Sequence, residues 1–173
     1  MKLDSLHKLF VHELKDLYSA EKQIVRAFPK FIRAVSNDDL KQAMQGHQKE
    51  SRQQVQRLEH IFSKLEFSPG GHRCKAMAGL LREAKSLLKE DDIEPEVLDA
   101  GMIAAMQRVE HYEIAAYGTA RAYAEKLGQT AAAELLQETL EEESATDEKL
   151  TRLAEDHINA DAMAVESEVN VSV

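Results

Sequence analysis

The chain is poor in residues that break or staple structure. Its 173 residues include one cysteine, three prolines, seven glycines and no tryptophan, and aromatic residues make up 5%. A lone thiol builds neither a disulfide framework nor a cysteine-rich metal site. None is needed, because a chain of this length buries roughly 70% of the surface its unfolded form exposes. Cys74 without a partner also suits a reducing compartment. No apolar run approaches the length of a membrane span, and acidic residues interrupt "MKLDSLHKLFVHEL" too early for a secretory signal. A soluble, cytoplasmic protein that engages no membrane is expected. With a net charge of −9 and no basic stripe, the chain is a poor match for nucleic acid. Phosphate-binding glycine loops, a dinucleotide fingerprint and a Gly-x-Ser-x-Gly elbow are also missing.

What is abundant is Ala, Leu, Glu, Lys, Arg and Gln, a composition that favours helix over sheet. Apolar residues recur at helical spacing in four long segments, at about 3–35, 38–65, 95–127 and 130–157. Pro29 falls inside the first and is expected to kink it or end it early. "SNDD" (36–39) supplies capping side chains for the second, and "SPGG" (68–71) ends that region as a turn. A shorter helix is expected at about 73–89. Pro95 suits the opening turn of the third long helix and Gly128 its stop. The pattern predicts an all-α four-helix bundle over residues 1–158, with a short additional helix in the long crossover between its second and third helices. Residues 159–173 are expected to form a flexible tail.

The stripes contain acids. At 100° per residue, Glu113 falls near the centre of the third stripe, and Glu110 towards its edge beside Tyr117. Glu21 lies mid-stripe in the first segment, among Leu14, Leu17, Ile24 and Phe28. Glu143 shares its face with Leu136, Leu140 and Leu150, with Asp147 one turn on. The second segment turns His47, Ser51 and Gln54 inward and leaves Glu50 at the arc's edge. Carboxylates from all four helices would therefore converge, at a cost of several kcal/mol for each uncompensated buried ion. Basic residues within the stripes are few, so the chain must protonate these groups, pair them or neutralise them with cations. Two divalent ions would carry most of the opposing charge. Oxygen-rich ligands select iron or manganese over copper(I), and carboxylates bridging at the axis of a four-helix bundle are typical of di-iron and di-manganese proteins.

"LYSAEKQ" (17–23), "VEHYEIAAYGT" (109–119) and "LLQETLEEESATDEKLTRLA" (135–154) resemble the bacterial stress-associated YciF/YciE-type ferritin-like family, and "CKAMAGLLREA" (74–84) is similar to that family's connecting helix. The resemblance covers about residues 3–157. It implies a ferritin-like bundle, commonly a homodimer, with a rubrerythrin-like di-metal site and no settled biochemical activity. It also implies that Glu21, Glu50, Glu113 and Glu143 correspond to the carboxylates of the di-metal core, and Glu110 to an additional one on the third helix. Two departures stand out. The ferritin-like pattern has Glu-x-x-His on the second and fourth helices, whereas Glu50 is followed by Gln53 and Glu143 by Thr146. Gln54 and Asp147, four positions on, face inward and are candidates to stand in. Without imidazoles the site is harder and favours the oxidised metal state. Any reductant must be an external electron donor, since no rubredoxin-like cysteine module is present.

Metal-ligand candidates are thus Glu21, Glu50, Glu110, Glu113, Glu143 and Asp147, with Gln54, Tyr117 and His47 touching them. The expected cofactor is two divalent metal ions, iron first and manganese second. The expected function is action on O2, peroxide or Fe(II). The rival reading is a non-enzymatic structural or interaction protein that keeps the fold without turnover.

Overall fold

A computed structural model describes residues 2–171, and every regular element among them is helical. Ser5 caps the first helix, α1 (Leu6–Ala34), by accepting from the Lys8 amide at 3.2 Å. Asn37 does the same for α2 (Asp38–Leu65), accepting from Leu40 at 3.0 Å. A short α3 (Lys75–Leu87) lies in the connection that follows. Next come α4 (Pro95–Lys126), which opens on its proline, and α5 (Thr130–Leu153). Gly128, at φ 69°, makes the left-handed turn between them.

The four long helices form the bundle. Helices α1 and α2 pair as one antiparallel hairpin and α4 and α5 as another; α1 lies beside α4, and α2 beside α5. The α3 helix packs across α4 and α1. Among the described residues no helix is long and apolar enough to cross a membrane.

Of the two outcomes expected at Pro29, a kink or an early end, the early end does not occur: α1 continues to Ala34. A proline leaves the carbonyl four residues earlier without its helical donor, and here Gln48 of α2 supplies the missing bond, its Nε2 donating to the Val25 carbonyl at 3.0 Å. The chain also stays helical where a tail was expected. After Leu153 it widens into a π-helical turn (Ala154–Ile158) and continues as α6 (Asn159–Val171), which lies against α4. Burial of Ile158 anchors the start of that segment.

The core is divided. One apolar cluster holds Phe28, Phe31, Met44, Met106, Val109 and Leu150. The other holds Leu14, Leu17, Leu58, Phe62, Tyr117 and Leu136. Along each long helix a buried polar segment separates the two: Glu21 on α1, His47 to Gln54 on α2, Glu110 and Glu113 on α4, Thr139 and Glu143 on α5. The bundle therefore has a polar layer between two hydrocarbon blocks.

Candidate metal centre

Each group in that layer is placed by its stripe. Glu21, Glu113 and Glu143 are fully buried, and Glu110 and His47 are nearly so. Ligand atoms of His47, Glu110, Glu113 and Glu143 all lie within 4.8 Å of one another. The His47 Nδ1 is 3.5 Å from Glu110 Oε2 and 3.7 Å from Glu143 Oε2, and its Nε2 is 4.0 Å from Glu113 Oε2. The imidazole is braced by Phe28, whose ring centroid is 5.1 Å away. Glu21 adjoins the group through Glu113 and accepts from the Tyr117 hydroxyl at 2.5 Å. Gln54 donates its amide to Glu143 and, at 3.0 Å, to Glu142.

The electrostatics follow from this burial. Removal from water pushes all four glutamates up: Glu21 to about 8 and Glu143 to about 7, with Glu110 and Glu113 well above the usual carboxyl range. Mutual repulsion adds to the rise, Glu143 acting on Glu21 and Glu110, and Glu21 on Glu113. Burial drives His47 the other way, to about 4, against a smaller upward pull from Glu142. Its contacts with the carboxyls are therefore not ion pairs near neutral pH. They join a neutral imidazole to acids that burial keeps largely protonated, Glu143 being the readiest to ionise. Glu113 faces Glu21, and Glu110 faces Glu143; each pairing becomes a hydrogen bond only when one partner holds a proton.

Several of these atoms have no hydrogen-bond partner. Glu21 Oε2, Glu110 Oε2, both oxygens of Glu113, Glu143 Oε2 and His47 Nδ1 are all buried and unpaired. Unpaired polar atoms at this density are costly in a dry core. Hard oxygen donors plus one neutral imidazole form a donor set suited to iron, manganese or another divalent ion. The residues present thus fit a metal.

The cluster differs from the sequence candidates at two positions and gains at a third. Glu50 is half-exposed; it follows the edge of the α2 stripe, where Glu142 and Lys149 rather than the core carboxyls dominate its surroundings. Asp147 stays at the α4–α5 seam, 3.4 Å from Gln107 Nε2 and 3.3 Å from His111 Nε2. One turn beyond Glu143, it has crossed out of the polar layer and found donors of its own. His47, expected only to touch the ligands, sits among them. Gln54 and Tyr117 hold Glu143 and Glu21 as the expected neighbouring groups. Glu142, next to Glu143 in the chain, is drawn by Arg57 to the α2–α5 seam, with NH1 at 2.5 Å and NH2 at 2.7 Å. Periodicity places Arg57 one turn beyond Gln54 on α2, but not the reach of its side chain.

An all-helical bundle that holds a buried layer of glutamates and one imidazole between two apolar blocks is the class of protein defined here. The family described as Domain of unknown function (DUF892) matches residues 5–163. The chain belongs to that family. It is similar to Protein YciF of Escherichia coli K12, at 46% identity over 163 residues, covering 94% of this chain and 98% of that one. The crystal structure of the E. coli stress protein YciF superimposes with a TM-score of 0.86 at 46% identity, over 91% of this chain and 99% of that one. YcfI of Rhodopseudomonas palustris, a structural-protein candidate, superimposes with a TM-score of 0.82 at 40% identity, over 87% and 97% of the two chains. A protein of Xanthomonas campestris shares the fold at 19% identity and a TM-score of 0.74, over 94% and 98%.

Proposed function

We propose that this protein is a di-metal carboxylate protein of stress conditions, using iron or manganese to act on O2, peroxide or Fe(II). One observation carries the reading: acids from three helices and an imidazole from the fourth meet in a dry layer with their lone pairs unpaired. Glu21, Glu110, Glu113, Glu143 and His47 would hold the ions. Four ionised glutamates balance two divalent cations, which offsets the burial and the mutual repulsion that otherwise keep the carboxyls protonated. Bound there, the ions would supply Lewis acidity and redox change.

The chain's own residues supply the rest. His47 stays neutral at physiological pH and keeps a free lone pair for coordination. Tyr117 fixes Glu21, and Gln54 fixes Glu143, so that both carboxyls keep their orientation whether or not they carry a proton. The apolar blocks on either side exclude bulk water. A stress role is supported by the name of the YciF relative.

Metal analysis of protein produced in iron- and in manganese-supplemented medium tests the reading. Close to two ions per chain are expected from one medium or the other, falling sharply in Glu113→Gln. Absence of stoichiometric metal from both preparations defeats it. A structural role without turnover is the second reading, favoured by the single imidazole in the layer and by the description of the YcfI relative. It predicts metal-dependent stability with peroxide and ferroxidase rates at background.

A further inference from the structure

Between α2 and α5 lies a surface cleft of about 420 Å3, with Glu50, Glu141, Glu142 and Lys149 on its walls. Ala43, His47 and Thr146 also line it. These three residues also line a small void of about 10 Å3, which Glu110 bounds on the core side. Cleft and void thus meet at these three side chains, a neck that separates solvent from Glu110. His47 spans it: only 2% exposed, its Nδ1 unpaired and 3.5 Å from Glu110 Oε2.

The side chains at the mouth differ in availability. Arg57 pairs with both Glu142 and Glu138 at 2.5 Å, and Gln54 also bonds Glu142, so these two acids are already engaged. Glu50 and Glu141 carry no arginine. Lys149 is the cation on the cleft wall. Gly46 contributes no side chain, and open space extends beyond 4 Å where a Cβ would stand. Thr146 occupies a position where the ferritin-like pattern has an imidazole; a threonine there leaves the neck narrow but unfilled.

We infer that the α2–α5 cleft is the loading path for divalent cations, with Glu50 and Glu141 collecting them at the mouth and His47 handing them through the Ala43–Thr146 neck to Glu110. This rests on the reading of the glutamate layer as a metal centre. It gives Glu50 a role outside the ligand set, which accounts for an acid half-exposed on the rim rather than within the layer. An acid-rich cleft, its carboxylates outnumbering the one lysine, raises local cation concentration and speeds capture.

Stopped-flow uptake of Co(II) by the metal-free protein, read by ligand-field absorbance, separates rate from end point. Glu50→Gln/Glu141→Gln should slow uptake about tenfold at low ionic strength, with the difference shrinking at high salt as screening shortens the reach of the mouth charges. Lys149→Gln should quicken it. Thr146→Phe, which plugs the neck, should slow uptake more than tenfold at both ionic strengths; the two surface variants carry the test should that one not fold. End points should match the unaltered protein throughout. Unchanged rates in the surface variants, with Co(II) still bound, overturn the path but leave the centre standing. A reduced end point in the Glu50 variant assigns that residue to the centre and overturns its place at the mouth. No uptake by the unaltered protein sinks centre and path together.

Discussion

The metal-free protein should lose stability as pH rises, because its core acids are held protonated. Each of the four glutamates has a folded pKa above its unfolded value, so its contribution is complete below about pH 4.5 and is lost as pH climbs through the folded value. For Glu21, at about 8, and Glu143, at about 7, the window runs from mildly acidic to mildly alkaline pH. At about 1.4 kcal/mol per proton per pH unit, these two together remove roughly 5 kcal/mol between pH 5.5 and 8. His47 works in the opposite direction. Its folded pKa is depressed to about 4, so it adds stability as pH rises through the unfolded value, offsetting about 1 kcal/mol over the same interval. The net fall is roughly 4 kcal/mol, before Glu110 and Glu113 deepen it, against a typical total of about 5–15 kcal/mol. Denaturant titration of chelator-treated protein at several pH values measures the effect directly. Repetition with saturating Mn(II) should flatten the dependence, because bound cations replace the protons. A flat profile without metal would mean that water reaches these carboxyls, and the account of a dry acidic layer would be wrong.

Other outcomes follow from single side chains. Asp99 accepts from the Ser36 amide at 2.8 Å, the Ser36 hydroxyl at 2.6 Å and the Asn37 amide at 2.7 Å, tying α4 to the start of α2. Asp99→Ala should cost about 2–3 kcal/mol in chemical denaturation and leave metal stoichiometry unaltered. Tyr117→Phe removes the hydroxyl that favours the ionised form of Glu21; Mn(II) affinity at neutral pH should fall about tenfold, measured by calorimetry. Gly118 lies inside α4 with open space beyond its Cα, so Gly118→Ala should raise stability by about 0.5–1 kcal/mol.

The helices and the inward acids were legible because both rest on one periodicity. The stripe that buries Leu17 and Ile24 must also bury Glu21, and a 100° step cannot turn one without the others. The second helix was read at Asp38–Leu65, the bounds observed, since Asn37 and the "SPGG" turn mark its two ends. Other features depend on side-chain reach across helices. Pro29 looked like a breaker because its rescue comes from Gln48, on a different helix. Glu50 and Asp147 lie near enough to their stripes to pass as inward; the charges around Glu50 and the contact of Asp147 with His111 are set by packing rather than by period. A lone histidine on an apolar face is usually packing, so spacing alone places His47 beside the acids; that three carboxyls converge on it is visible only in the fold. The π-helical turn at Ala154–Ile158 has no signal in apolar spacing, so the chain beyond it was read as a tail.

The band of acids across the middle of the bundle also governs alignment. Sliding any one rod by a single turn, about 5.4 Å, would drive its glutamate into oil and bring a leucine or methionine opposite the remaining acids. Leucine-rich helices packed on one another tolerate several such offsets, but this arrangement admits one. The same groups that weaken the empty protein at alkaline pH thus tell each helix where to stop relative to its neighbours.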